Sequence, residues 1–367
     1  MIAGEPIVQP GCIELLRRAR ELLGGGRVGL LAHAASVLPD FTHLADRLRE
    51  HPDVRLTALF GPEHGLDGAA QDMIGVGGAV ARGLPIFSLY GADESALRPT
   101  GEMLATIDAL VVDLQDVGAR YYTFVYTMAH CLEACAVAGK RVIVCDRPNP
   151  LNGVDVDGPL LEPAFASFVG RFPLPVRHGK TIGELAQQWN REQGWNADLT
   201  VLPCAGWDRA MWFDQTGLPW IPPSPNMPTL DTATVYPGAC LVEGTNLSEG
   251  RGTTRPFETI GAPWLDGRAL AAELNASNLA GVRFRPLAFV PAFHKHAGRN
   301  CGGVFVHVTD RSVFRAVDAY VQLIAAARRQ HRAAFAWRTE PYEFVRDRLA
   351  FDLLCGTDRL RRQIEAE

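Results

Sequence analysis

Between residue 27 and about residue 203, short apolar, β-branched runs alternate with longer stretches whose apolar residues recur at helical spacing. The runs are 27–32 (RVGLLA), 54–60, 84–89, 109–114, 141–146 and 199–203. Near-continuous apolar strands of this kind suit a parallel sheet covered on both faces, because neither side of such a strand meets water. Between them, Asp40 is placed to cap FTHLADRLRE, 123–138 is a long apolar-periodic stretch, and Thr181-Ile-Gly-Glu184 forms a capping box opening ELAQQWNRE. The pattern predicts an open, Rossmann-like α/β domain.

Around 205–265 the periodicity gives way to a stretch rich in Trp, Pro and Gly, too long for a passive linker in a compact fold. Beyond it Asp266 caps a helix, 282–289 and 303–309 read as strands, and Asp310 opens a helix carrying Phe314, Val317, Tyr320, Val321 and Ile324 at helical spacing. The expected architecture is α/β: a Rossmann-like open parallel-sheet domain over 1–231, then a smaller α+β domain over 232–367, with an active-site cleft between them. The length of 367 residues agrees, at roughly 150 residues per domain.

Charge removes some partners from consideration. Lys plus Arg number 36 against 41 Asp plus Glu, a net charge of −5 with no long run of one sign, which argues against nucleic acid or an anionic membrane. No apolar run reaches the ~18 residues that span a bilayer. The start MIAGEPIVQPG has no basic segment leading into an apolar one, so the expected compartment is the cytoplasm unless a leader has been omitted. The eight cysteines show neither CxxC nor zinc-like spacing and read as small buried hydrophobes in a reducing environment. Oligomeric state is left open.

In an open parallel sheet, ligands bind outside the carboxyl ends of the strands, where loops converge and helix N-termini point their N–H groups. Four runs here end in polar groups: Gly61-Pro62-Glu63-His64-Gly65, Tyr90-Gly91, Gln115-Asp116-Val117-Gly118-Ala119-Arg120-Tyr121-Tyr122, and Asp146-Arg147-Pro148-Asn149-Pro150. Glu63 stands out, since it follows a fixed Pro at a strand end, where desolvation lets a carboxyl serve as a general acid; capping the next helix is the alternative. Arg120, Arg147 and Arg251 are each suited to forking a carboxylate, or to a structural ion pair with a nearby Asp. Later, Glu243-Gly-Thr-Asn246-Leu-Ser248-Glu249-Gly-Arg251 gathers acid, amide, hydroxyl and guanidinium groups between glycines, which suits a polyhydroxylated ligand or an elaborate capped turn. His178 precedes the Thr181 helix as a ligand contact or a cap neighbour, and His294-Lys-His296 reads as structural. Trp195, Trp207, Trp212, Trp220 and Trp264 offer a stacking face for a sugar ring or ordinary packing. GxSxG, GxxxxGK[ST] and HExxH are all missing, and Gly24-Gly25-Gly26 precedes its strand instead of following it, so no cofactor or metal is expected. An acid–base enzyme or a binding module remains.

The blocks FGPEHGLDG, SLYG, DLQDVGARYYT, DRPNPLNG with DGPLL, VRHGKTIGELA, PSPNMPTL, YPGACLVEGTNLSEGRGTTRPFE and GAPW resemble the bacterial exo-β-N-acetylmuramidase family, NamZ-like and formerly of unknown function. The resemblance runs from about residue 27 to the C-terminus. It implies a Rossmann-like domain, a smaller C-terminal domain, and hydrolysis of terminal N-acetylmuramic acid from peptidoglycan fragments such as MurNAc-GlcNAc or muropeptides, in cell-wall turnover or recycling. On that reading Glu63 is the acid and Asp116 the second carboxylate, with Glu249, or the substrate's own acetamido group, as substitutes. Substrate contacts are expected from His64, Tyr90, Gln115, Arg120, Tyr121, Asp146, Arg147, Asn149, His178, Asn226, Glu243, Asn246, Glu249 and Arg251. The lactyl carboxylate falls to Arg147 or Arg251, with Arg120 as a further choice. Leu31-Ala32-His33-Ala34-Ala35-Ser36 departs from relatives that carry a Thr-Asn loop there, so no contact is carried over. Some relatives are exported, in contrast to the start of this chain. A non-catalytic muropeptide-binding module and a metal-dependent hydrolase are the competing readings.

Overall fold

The computed structural model describes residues 7–66, 79–81 and 83–367. Seven strands form one sheet: β1 Arg27–Ala32, β2 Arg55–Gly61, β3 Ala79–Ala81, β4 Leu84–Ser88, β5 Ala109–Asp113, β6 Arg141–Cys145 and β7 Leu199–Leu202. Their order is β3-β4-β2-β1-β5-β6-β7, parallel throughout except for β3, which pairs antiparallel with β4 at one edge. The central strands are covered on both faces, as their unbroken apolar runs require: Val28, Leu30, Leu31, Leu110, Val111, Val142 and Ile143 are all fully buried. Each such side chain contributes about 1.5–3 kcal/mol relative to its exposed state.

From β1 the chain builds outward through β2 and β4 on one side, then returns to add β5, β6 and β7 on the other. The sense of winding therefore reverses at β1 and β5, and ligands of open α/β sheets bind outside the strand ends at this switch point. The ends of β2, β1 and β5 carry Glu63, His33 and Asp116 to that position.

By compactness the chain divides into two units that interleave in sequence. The sheet unit takes residues up to 118, 122–154 and 179–225; the second takes 119–121, 155–178 and 226–367. The second unit contains a three-stranded antiparallel sheet, β8 Thr259–Ala262, β9 Val282–Phe289 and β10 Cys301–Val308, in the order β8-β10-β9. Helices Leu230–Ala239, Gly267–Ala276 and Ala316–Gln330 belong to the same unit. Gly238 lets two of these helices touch, because a Cβ there would lie 2.0 Å from the Ala316 carbonyl oxygen.

Three local expectations are corrected. The helix after β1 begins at Leu44, capped by His43, whose Nδ1 accepts from the Ala45 amide, while Asp40 accepts from Thr42 ahead of it. Asp310 accepts from Ser312 in a turn, and the following helix starts only at Ala316. The aperiodic 205–265 stretch holds a helix, Leu230–Ala239, capped by Thr229. Its residues from Thr232 to Ala239 are all buried, so it has no polar face to produce a period. The Thr181 capping box forms with both of its bonds. Among the described residues, no helix is long and apolar enough to cross a membrane.

Candidate active site

In the sheet unit, β2 ends in a tight turn. The Gly65 amide donates to the Pro62 carbonyl (3.0 Å), and both His64 (φ 71°) and Gly65 (φ 76°) lie in the left-handed region. A non-glycine residue held there costs of order 1 kcal/mol or more, and such strain gathers at sites that need a fixed geometry. The turn buries Glu63, whose Oε2 accepts the Thr123 hydroxyl at 3.0 Å. Thr123 is the N-cap of helix Phe124–Val137.

Tyr122 is buried in the segment between β5 and helix Phe124–Val137. Burial pushes its phenol well above the usual range, a Ser224 hydrogen bond works against that shift, and the charges of Asp116 and Glu63 add to it. The Asp116 Oδ2 accepts from the Gly118 amide at 2.7 Å.

His33 braces this arrangement from the end of β1. Its Nε2 accepts from the Gln115 amide (2.8 Å), so Nδ1 carries the proton and donates to the Pro223 carbonyl (3.1 Å). Burial drives its pKa down to about 3 and keeps it neutral. Gln115 donates through Nε2 to the Asp116 and Pro148 carbonyls, joining the loops after β5 and β6. Asn149 accepts from Leu151 and donates to the Lys180 carbonyl. Tyr90 is buried at the end of β4.

Three other strand-end residues have defined partners. Asp113 and Arg147 form a buried bidentate fork (2.6 and 2.8 Å), and Arg147 also donates to the Val37 carbonyl. Beside that fork, Arg147 and Gln115 line a small cavity of about 20 Å3 walled by Val37, Leu38, Leu218 and Ile221. Asp146 accepts from the Thr181 hydroxyl (2.7 Å) and from the Gly183 and Arg147 amides. Burial nevertheless raises its carboxyl to about 6.

The second unit gathers the remaining expected residues. Arg120 is fully buried and donates to the carbonyls of Pro159, Leu174 and Leu354 at 2.7–2.8 Å. Tyr121 donates its hydroxyl to the Pro237 carbonyl, and His178 and Asn226 are buried. Glu243 receives Arg251 (2.6 Å) and the Tyr342 hydroxyl (2.8 Å). Burial alone would raise the Glu249 carboxyl, but Lys295 (3.0 Å), His294 (2.9 Å) and Arg251 (3.4 Å) hold it well below the usual range. Lys295 also donates to the carbonyls of Val242, Glu243 and Leu247. Asn246 clasps the 334–336 segment, donating to Ala334 and accepting from Ala336.

Residues outside the expected site set are thus Tyr122, Thr123, His33 and Ser224 in one unit and Tyr342 in the other, while His294 and Lys295, which the sequence marks as structural, hold the buried Glu249. Tyr122 lies within the strand-end run already singled out and carried a usable signal. His294 and Lys295 come some 45 residues after Glu249, with no local pattern to connect them. The tryptophans do not form one group, since Trp264 lies in the second unit and the other four in the first.

A family model described as exo-β-N-acetylmuramidase NamZ, N-terminal, matches residues 28–231, and its C-terminal counterpart matches 234–367. Over 365 residues the chain is 46% identical to the peptidoglycan β-N-acetylmuramidase NamZ of Bacillus subtilis (strain 168), covering 99% of this chain and 86% of that one. Two crystallised DUF1343 family proteins of Bacteroides fragilis NCTC 9343 share the fold. One has a TM-score of 0.86 at 34% identity (99% of this chain, 92% of that one), the other 0.74 at 30% (98% and 91%).

Proposed function

The chain belongs to the exo-β-N-acetylmuramidase NamZ family, and we propose that it releases non-reducing terminal N-acetylmuramic acid from peptidoglycan fragments with Glu63 as the general acid. It is a glycosidase, and its substrate is a carbohydrate derived from peptidoglycan. The observation that carries the assignment of Glu63 is its position: a buried carboxyl at the switch point of the sheet, oriented by the Thr123 hydroxyl.

Cleavage passes through an oxocarbenium-like transition state, so one group must protonate the leaving oxygen and another must answer the charge that develops at the anomeric carbon. Glu63 donates the proton. Asp116 supplies the second function, alone or with the acetamido group of the substrate. Asp116 is preferred to Glu249 because Glu249 is enclosed by three cationic or hydrogen-bonding partners. Arg147 reads the lactyl carboxylate that distinguishes muramic acid from glucosamine. Its guanidinium is held rigid by Asp113 at the strand ends, beside an aliphatic wall of Val37, Leu38, Leu218 and Ile221. Within the sheet unit, the half-buried His64 and the buried Tyr90, Gln115 and Asn149 serve as contacts or supports. All eight cysteines are thiols, which fits work in a reducing compartment and a recycling role.

Incubating the intact protein with the disaccharide MurNAc-GlcNAc tests this reading, with free N-acetylmuramic acid as the expected product. Binding without release would make the protein a muropeptide-binding module, and activity abolished by EDTA would make it a metal-dependent hydrolase.

A further inference from the structure

The second unit contains a pocket of about 540 Å3 lined by Asn246, His294, His296, Trp337, Arg338 and Glu340, among others. Its wall is built rigidly. Asn246 exchanges backbone and side-chain hydrogen bonds with Ala334 and Ala336, Thr245 bridges to Trp337, and the Arg338 amide donates to the Gly244 carbonyl at 2.9 Å. His296 Nε2 lies 2.7 Å from the Asn246 carbonyl on the opposite rim. The Trp337 indole is fixed by the rings of Phe335 and Phe351 and by its Nε1–H bond to Glu365.

Arg338 differs from the other arginines considered above. Arg120, Arg147 and Arg251 each donate to carbonyls or carboxylates. The Arg338 guanidinium lies 4.9 Å from the centre of the Tyr342 ring and, among the described residues, donates to no acceptor. Glu340 lines the same pocket without pairing to it. A half-buried guanidinium over an aromatic ring keeps its fork of donors available, and bidentate recognition of a carboxylate draws on such placement. Tyr342 is in turn fixed by its hydrogen bond to Glu243.

We propose that this pocket of the second unit binds a small carboxylate ligand with a flat or apolar flank. Arg338 receives the carboxylate and Trp337 packs against the flank. The volume suits a dipeptide or a single amino-sugar acid. Both carry the required carboxylate, one from a peptide and one from a lactyl ether.

Isothermal titration calorimetry on the intact protein separates these sources, with L-alanyl-D-glutamate and N-acetylmuramic acid as probes and N-acetylglucosamine as the control without a carboxylate. At least one acidic probe is expected to bind. Arg338→Gln should weaken that binding about tenfold or more, and Arg338→Lys, which keeps the charge but loses the fork, less so. The probe that shows Arg338-dependent binding identifies the source. The proposal is overturned if neither acid binds, if Arg338→Gln binds like the parent protein, or if N-acetylglucosamine binds equally well. Should Arg338→Gln fail to fold, a Lys variant that binds as tightly as the parent is the overturning result. Hydrolysis of MurNAc-GlcNAc is scored on the same samples. Loss of acid binding with hydrolysis intact therefore removes this pocket alone, and the converse removes only the hydrolase reading.

Discussion

The Thr123 hydroxyl donates to Glu63 Oε2 at 3.0 Å, so the residue that caps helix Phe124–Val137 also orients the carboxyl that follows β2. Replacing Glu63 by Gln keeps the shape and an acceptor for Thr123 but removes the transferable proton. Release of the chromophore from a chromogenic β-N-acetylmuraminide should fall by about 10²–10⁴-fold with little change in melting temperature. Near-wild-type release would show that the acid is another group.

Thr123 itself is a positioning residue. Thr123→Val should lower kcat roughly tenfold while KM changes little, because the carboxyl loses its orientation and the binding groups stay in place. Thr123→Ser restores the hydroxyl and should recover most of the rate. A Ser variant as slow as the Val variant would show that Thr123 acts through packing.

Gly118 has φ 79°, and a Cβ there would lie 2.6 Å from Asn149 Oδ1. Gly118→Ala therefore carries both a backbone penalty and a clash, and it disturbs the amide that Asp116 accepts from. The expected cost is about 1–3 kcal/mol in stability, read by chemical denaturation, together with reduced turnover.

Asp146 gives stability a definite pH dependence. Its carboxyl titrates near 6 in the folded state against 3.8 ordinarily, so the folded protein holds the proton more tightly than the unfolded chain. The contribution is therefore fully present below about pH 4 and is lost as pH rises through about 6. A shift of this size corresponds to about 3 kcal/mol. Asp146→Asn mimics the neutral carboxyl and should flatten this part of the melting-temperature profile. An unchanged slope would place the titration elsewhere.

Lys295→Met strips one cation from the fully buried Glu249. Breaking a buried ion set from one side costs about 3–5 kcal/mol, visible as a large drop in melting temperature. Glu249 is held low in the folded state, so the stability it gains from Lys295 is present above its ordinary pKa near 4.5 and declines in acid. The difference between variant and parent should be widest near neutral pH and narrow below about pH 4.

How much of this was legible follows from where each element finds its partners. β1, β2, β5 and β6 announce themselves because sheets covered on both faces demand runs such as Val28–Leu31 and Val142–Val144. The Thr181 box is local chemistry and reads directly. Helix Leu230–Ala239 is hidden because burial on every side erases its period, and Pro237 within it reads as a break. The same distinction divides the site. Glu63, Asp116 and Tyr122 sit on strand ends that topology brings together, whereas the Glu249–Lys295 and Glu243–Tyr342 contacts join segments far apart in sequence, and no spacing rule reaches that far.

The interleaving of the two units sets an order of assembly. Every strand of the seven-stranded sheet has been synthesised by residue 202, so that sheet can close while the ribosome is still translating the rest. Arg120, though it follows β5 directly, must wait for the Leu354 carbonyl, 234 residues downstream, to complete its set of acceptors. Until then its buried guanidinium is one acceptor short. The second unit is therefore finished only as the C-terminus emerges, and an expressed fragment ending near residue 231 would leave Arg120 without its Leu354 acceptor and the 155–178 excursion without the rest of its unit.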